Sequence, residues 1–345
     1  MTTTAYVTHQ DYALHTLEGH PEHAGRIRRI WQVLEETRMI ERLLTITPAP
    51  ATVEQLTRVH EAGYIEIVRR VSERGGGMLD PDTYVIPVSY EVARLAAGGT
   101  MAAVEAILSG EADNALAVVR PPGHHATPDQ GMGFCLFNNV ALAARHAQAI
   151  SEMVERVMIV DYDVHHGNGT QDTFYEDGSV LYVSTHQYPF YPGTGGLDEI
   201  GTGPGYGTTI NMPLRPGTGN EGFSLLYERV LWPAARRFAP DLILVSAGFD
   251  AHWADPLAML QLDLQGYAHL TRELIAMADE LCDGRIVFVL EGGYDLEVLG
   301  YGILNVAYAL LGEDEVVDPL GPFDMPGRGT EDLVEQLVRI HRLEG

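Results

Sequence analysis

The stretch that decides the fold is VMIVDYDVHHGNG, residues 157–169. Val157–Val160 is an apolar run with no polar interruption, which reads as a strand buried on both faces; such strands belong to parallel sheets covered by helices on each side. The polar residues begin only where the run stops, with Asp161, Asp163, His165, His166 and Asn168. In an open α/β sheet the carboxyl ends of the strands form the crevice where ligands bind. Carboxylates and imidazoles at that edge therefore mark a candidate site.

The same pattern recurs along the chain. Ala115–Val119 is followed by Arg120-Pro121-Pro122-Gly123-His124-His125, Leu242–Val245 by SAGFDAH (246–252), and Ile286–Leu290 by Glu291-Gly292-Gly293-Tyr294. Val180–Val183 reads as a fifth buried strand. Between and around these runs the apolar spacing has helical period over Glu22–Leu44, Ser89–Leu108, Asn138–Val154, Phe223–Phe238 and Gly266–Leu281. The alternation predicts an α/β fold with helices on both faces of a mostly parallel sheet, organised as a single domain over 1–345. Residues 186–222, rich in Gly and Pro, are too long for a connector and read as a folded active-site loop. An acidic, proline-containing segment (312–327) leads to a last surface helix over 331–342.

Composition narrows the function. The formal charge is −26, from 48 acidic and 22 basic residues, and every base is arginine. Such a surface repels a phosphate backbone and anionic lipid, so direct nucleic-acid and membrane partners are disfavoured. Cys135 and Cys282 are too few for a disulfide framework. The opening residues lack a basic region followed by an apolar run, and no apolar stretch reaches membrane-spanning length, which points to a cytoplasmic protein.

The strand-end residues suggest a mechanism. In an extended chain Asp161, Asp163 and His165 point the same way, and Asp250 from another strand can complete a set of two carboxylates and one imidazole. With no thiolate and an open position for water, that set suits zinc or another first-row divalent ion in a catalytic site. The His124-His125 pair then provides acid–base groups, with Asp161 and Asn168 as orienting partners. Tyr294, after two glycines, can donate its hydroxyl to a carbonyl oxygen that becomes negative during attack.

These residues also carry a resemblance. HPE (20–22), RPPGHHA (120–126), GFCLFNNVA (133–141), DYDVHHGNGTQ (161–171), SAGFDAH (246–252) and EGGY (291–294) resemble the histone deacetylase superfamily in order and spacing. GNG at 167–169 is similar to the class II branch and its bacterial relatives. The resemblance implies the arginase/deacetylase fold, an eight-stranded sheet between helices. It implies one catalytic zinc on Asp163, His165 and Asp250, His125 as general base or acid, His124 as its partner bonded to Asp161, and Tyr294 as carbonyl polariser. Asn168 stands where class I relatives have an aspartate. The family's potassium site corresponds to Asp161, Asp163, His165, Ser184 and Thr185, and a second to Phe174, Asp177, Val180 and Thr208. The substrate tunnel corresponds to Gly133, Phe134 and Tyr191, with Leu257 at its rim and Asp82, or else Asp80, gripping substrate. His20, Glu22 and Arg26 are expected to support the site floor.

The implied reaction is removal of an acetyl or short acyl group from an acylated lysine side chain. Three alternatives stand beside it. A small acetylated amine such as a polyamine needs the same machinery, though polyamine-preferring relatives tend to carry an acidic residue where Leu257 stands. An arginase-like manganese enzyme needs more aspartates and no tyrosine in this role. A catalytically silent acyl-lysine binding module has no need of Tyr294 or the histidine pair.

Overall fold

The described residues form ten short strands: β1 (Thr4–Val7), β2 (Leu44–Ile46), β3 (Gly77–Met78), β4 (Tyr84–Val85), β5 (Asn114–Ala117), β6 (Val157–Asp161), β7 (Val180–Gln187), β8 (Thr209–Leu214), β9 (Leu242–Ala247) and β10 (Ile286–Leu290). The computed structural model describes residues 2–343. β3 and β4 form a small antiparallel ribbon. The other eight make one sheet in the order β2-β1-β5-β10-β9-β6-β7-β8, every pair parallel. Every residue of β5, β6, β7, β9 and β10 is buried, which explains the apolar runs without alternation in β6, β9, β10 and the first half of β7. One helical layer contains Ser89–Leu108 packed on Asn139–Ile150. The other contains Ala24–Glu36 packed on Leu296–Leu310, which in turn meets Leu264–Leu281. The expected α/β class and parallel sheet are thus what the chain forms.

Several boundaries differ from expectation. The helix predicted over Glu22–Leu44 stops at Glu36, where Thr37 Oγ1 turns back to Val33 O at 2.7 Å and Arg38 takes φ 57°. Met39 and Leu43 are buried from a tight turn that follows, so their apolar spacing imitates a longer helix, and Leu44–Ile46 then pairs with β1. The stretch 186–222 is only partly loop. β7 runs through Gln187, and β8, TINMPL, adds an edge strand that Asn211 and Pro213 disguise. β1 was also not legible as an apolar run, with Thr4 and Ala5 diluting it. The helix expected over Phe223–Phe238 contains one wide turn, Tyr227–Leu231, just before Pro233. An i→i+5 turn there absorbs the proline's missing N–H.

Folding also buries neutral imidazoles. His60 is enclosed, its Nδ1 donating to Thr127 O at 3.0 Å and its Nε2 accepting from Asn138 N at 2.8 Å. Burial pushes it down to about 4, and burial likewise lowers His186 to about 4 and His15 to about 3. Between those values and the ordinary imidazole range the unfolded chain binds the extra protons. The stabilisation is therefore complete above about pH 6.5 and is lost as pH falls toward 4. Each such histidine should contribute a slope of about 1.4 kcal/mol per pH unit in that window. Denaturation followed from pH 7 to pH 4 should show this loss, and His60→Gln, which keeps a donor and an acceptor, should flatten it. An unfolding midpoint that does not move over that range would contradict the assignment.

Candidate active site

The site is built at the carboxyl ends of β5, β6, β9 and β10, over a buried ionic floor. Glu22, Arg26 and Arg120 are all fully buried. Arg120 forks onto both carboxylate oxygens of Glu22 and donates to Tyr12 O and His15 O. Arg26 reaches Glu22 at 3.1 Å, and its other nitrogens hold Gly293 O at 2.7 Å and Glu291 O at 2.5 Å. Burial works against ionising Glu22, but the two guanidiniums outweigh it and hold the carboxyl down to about 2. Glu22 and Arg26 therefore lie beneath the site as expected. His20 does not: its Nε2 meets Asp82 O at 3.0 Å and its ring stands edge-on to Phe134, which puts it at the rim.

After β6 the chain does not continue extended. Asp163 N turns back to Asp161 Oδ1 at 3.2 Å and His165 N to Asp163 Oδ1 at 2.9 Å. This turn separates Asp161 from the other two, correcting the expectation that all three point one way. Asp163, His165 and Asp250 converge, with His165 Nδ1 at 3.2 Å from Asp163 Oδ1 and 3.3 Å from Asp250 Oδ2. One ring N–H cannot serve two carboxylates, and Asp250 Oδ2 is buried with no hydrogen-bond partner. Against burial, the paired carboxylates lift His165 to about 10. Two carboxylates, one imidazole and an orphaned buried oxygen fit a divalent cation, which would take the place of that proton. A Cβ on Gly292 would collide with Asp250 Oδ2 and Asp163 Oδ2, so the backbone of β10's loop closes this cradle. His124, Cys135 and Glu291 also come close together. Glu291, however, already accepts from Gly123 N, His124 N and Ser246 Oγ, and His124 is bound to Asp161.

The histidine pair stands beside this cradle. His124 Nδ1 bonds Asp161 Oδ2 at 3.0 Å, and Tyr182 donates to the same oxygen at 3.1 Å. His125 Nδ1 bonds Asn168 Oδ1 at 2.8 Å. Burial lowers both rings, but Asp163 and Asp161 raise His124 to about 10. His125 has no carboxylate partner, and burial with the charges of His124 and His165 holds it well below the ordinary range.

Aromatic walls lead outward. Gly133 and Phe134 take successive left-handed conformations, φ 54° and 69°, and Phe134 N donates to Thr83 Oγ1 at 3.0 Å. For a phenylalanine this conformation costs about 1–2 kcal/mol. It sets the ring edge-on to Tyr294 at 5.8 Å. Opposite, Tyr191 is edge-on to His125 at 5.1 Å and Phe190 stacks on His165 at 5.5 Å. The Tyr191 hydroxyl is buried without a partner. Tyr294 is held against the Arg26 guanidinium, 4.9 Å from its ring centre, by the turn at Gly293 with φ 119°. Leu257, Pro256, His20 and Tyr294 line a cavity of about 580 Å³ at the rim. Asp80 Oδ1 caps its own turn by accepting from Asp82 N and Thr83 N, whereas the Asp82 carboxyl takes only a weak bond from Thr83.

The residues expected at the two potassium positions fall in two further groups. Asp161 and Ser184 are register partners across β6 and β7, and Thr185 Oγ1 reaches Asp161 O at 3.5 Å, with Asp163 and His165 following in the turn. At the second, Phe174 O accepts from Asp177 N, Asp177 O accepts from Thr208 Oγ1, and Val180 opens β7. There the Asp177 carboxylate pairs with Arg145 at 2.6 Å, which leaves mainly carbonyls to meet an ion. Sequence reasoning missed the backbone-holding role of Glu291, the Arg120–Glu22 pair, and Asp255 altogether. Glu291 was detectable as an acid ending a buried strand, but Asp255 lies in a loop with no such signal.

Fold and site together describe a parallel α/β protein with a carboxylate–imidazole cradle that could hold a metal ion, flanked by paired histidines and a tyrosine. A profile described as the histone deacetylase domain matches residues 20–310, and the chain belongs to the histone deacetylase family. It is 42% identical to a probable deacetylase of Archaeoglobus fulgidus, over 90% of this chain and 87% of that one. It is 44% identical to a histone deacetylase-like amidohydrolase of Pseudomonas aeruginosa, over 88% and 80% respectively. The crystal structure of the HDA15 HD domain superposes with a TM-score of 0.91 at 36% identity, covering 99% of this chain and 94% of the other.

Because a side chain at Gly292 would press on both carboxylates, Gly292→Ala should leave the fold intact and weaken metal binding by about 10–100-fold. Metal titration with circular dichroism of the same samples tests this, and unchanged affinity would show that the cradle is elsewhere.

Proposed function

We propose that this chain, as a single catalytic domain over 1–345, is a zinc-dependent amide hydrolase that removes an acetyl or short acyl group from an acylated lysine side chain. The observation that carries the reading is the convergence of Asp163, His165 and Asp250 beside two histidines with different partners, at the inner end of an aromatic passage closed by Tyr294. Zinc held by those three residues would supply Lewis-acid polarisation of the scissile carbonyl and a more acidic attacking water. Potassium bound at Asp161, Asp163, His165, Ser184 and Thr185 belongs to the same reading, as does the second potassium position.

The side chains divide the remaining work. His125, kept neutral, accepts a proton from the attacking water through Nε2, because Nδ1 is committed to Asn168. His124, bonded to Asp161, keeps its proton and supplies positive charge beside the developing oxyanion. Tyr294 donates its hydroxyl to that oxygen; burial keeps the phenol protonated across the working pH range. His125 then returns its proton to the leaving amine. Phe134 and Tyr191 sandwich the aliphatic stem of the substrate, Gly133 offers its carbonyl to the amide N–H, and Asp82 grips the substrate at the rim beside Leu257.

A second reading, a small acylated amine as substrate, is favoured by one observation. The acidic rim at Asp80 and Asp82 belongs to a chain of net charge −26, which would draw in a polycation. The named amidohydrolase among the relatives keeps this reading open. No helix among the described residues is long and apolar enough to cross a membrane. A cytoplasmic location is part of the proposal, and the net charge of −26 is what disfavours a direct nucleic-acid partner.

Amine release from an acetyl-lysine peptide and from an acetylated polyamine, each with metal-loaded and metal-stripped protein, should be metal-dependent and faster for the peptide. Preference for the polyamine would shift the function to small-amine chemistry, and no release from either with metal bound would overturn the deacetylase reading in favour of a different acyl substrate or a silent binder. Tyr294→Phe should bind metal normally yet lose about 100-fold or more in turnover; undiminished turnover would remove Tyr294 from the mechanism.

A further inference from the structure

Asp255 is a buried carboxylate, 5% exposed, that no step above uses. It lies in the loop after β9, five residues beyond Asp250, and all of its hydrogen bonds are to backbone N–H groups of two different segments. Oδ1 accepts from Leu257 N at 2.9 Å. Oδ2 accepts from Tyr294 N at 2.7 Å and from Asp295 N at 3.2 Å. One side chain thus fastens the rim segment carrying Leu257 to the backbone of Tyr294 itself.

The need for such an anchor is visible in the loop. Tyr294 follows two glycines, the second at φ 119°, and a Gly-Gly segment left alone samples many conformations. Arg26 secures the loop from below through Glu291 O and Gly293 O, and its guanidinium covers the tyrosine ring. Its hydrogen bonds to the loop backbone end at Gly293. Among the described residues the N–H groups of Tyr294 and Asp295 are met only by Asp255, and Asp295 in turn caps the following helix through Glu297 N and Val298 N. A donor displaced by about 1 Å loses most of its value in a transition state, so an anchor at the Tyr294 backbone acts on catalysis directly through geometry.

The geometry points to Asp255 as a positioning residue for Tyr294, coupling the rim at Leu257 to the placement of the phenol hydroxyl. The inference rests on the hydrolase reading and on the polarising role of Tyr294 proposed above. Asp255→Asn tests it: the amide is isosteric and can still accept from Leu257 N, but it presents an NH₂ to two N–H donors, so the Tyr294 loop is released.

The experiment is a double-mutant cycle with Tyr294→Phe, measuring kcat, KM and bound metal by mass spectrometry. Asp255→Asn should lower kcat by roughly 10-fold or more with KM within about 2-fold and metal content unchanged. In the Tyr294→Phe background the same change should cost less than about 2-fold, because the group it positions is already gone. Effects that multiply in the double variant, or full kcat in Asp255→Asn, would overturn the inference. If Asp255→Asn fails to fold, Asp255→Glu takes its place in the cycle. It keeps the buried carboxyl group but shifts the acceptor by one methylene, and the same loss of effect in the Tyr294→Phe background is expected. A wild-type chain that hydrolyses no acyl amide would instead defeat the underlying functional reading, and a Tyr294→Phe variant with undiminished kcat would defeat the role of the tyrosine, so each failure is distinguishable.

Discussion

A carboxylate taken out of water must be given N–H donors or a cation, and the upper edge of this sheet is organised by that requirement. Asp161 takes Asp163 N, Asp163 takes His165 N and Gly292 N, Asp250 takes Val164 N, and Glu291 takes Gly123 N and His124 N. Most of these bonds run from one strand's loop to another's. Asp163 after β6 holds the loop after β10, Asp250 after β9 holds the loop after β6, and Glu291 after β10 holds the loop after β5. The acids therefore join the strand ends laterally where the sheet's own ladder stops. Chemistry and architecture use the same residues, since Asp163 and Asp250 hold neighbouring loops through backbone N–H groups while Asp250 Oδ2, left without a hydrogen-bond partner, faces the metal cradle.

Below that edge the requirement is met by arginine instead. Glu22 is fully buried and would be expensive alone; Arg120 and Arg26 neutralise it, and their remaining N–H groups satisfy carbonyls of four other residues. Breaking such a group by removing one partner typically costs about 3–5 kcal/mol, because the remaining charge stays buried. The planar guanidinium suits this arrangement, since one side chain can reach a carboxylate and two carbonyls at fixed angles. Arg26 continues upward to the face of Tyr294, so the floor and the catalytic edge are mechanically one unit.

Much of this was legible in the sequence because buried parallel strands announce themselves. Val157–Val160 and Ile286–Leu290 have no polar residue until the sheet ends, so the position of the first acid locates the site. Asp163, His165, Asp250, the histidine pair with Asp161 and Asn168, and Tyr294 all lie on such boundaries, and the chain brings them together. Three things were hidden. β8 lies at the sheet edge with Asn211 and Pro213 in it, and an edge strand is not obliged to be continuously apolar. The turn at Asp163 defeats an argument from extended geometry, because local side-chain-to-backbone bonds redirected the chain within two residues. Asp255 gave no signal because its work is done on N–H groups, which every residue but proline carries.

The two adjacent histidines show how much can follow from a single difference in partner. They sit 4.0 Å apart between ring centres, in the same buried layer, and burial disfavours charge on both. His124 faces a carboxylate and His125 an amide oxygen. An aspartate at 168 would offer the second ring the same inducement to hold a proton, and two imidazoliums at contact would repel each other. The amide orients His125 through Nδ1 without charging it, and Asn168 Nδ2, turned toward His125 O at 3.4 Å, holds the amide in that sense. The pair is thereby divided into one ring that keeps its proton and one that is free to take and return it. That division is available only because the strand ends bring a carboxylate to one ring and an amide to the other.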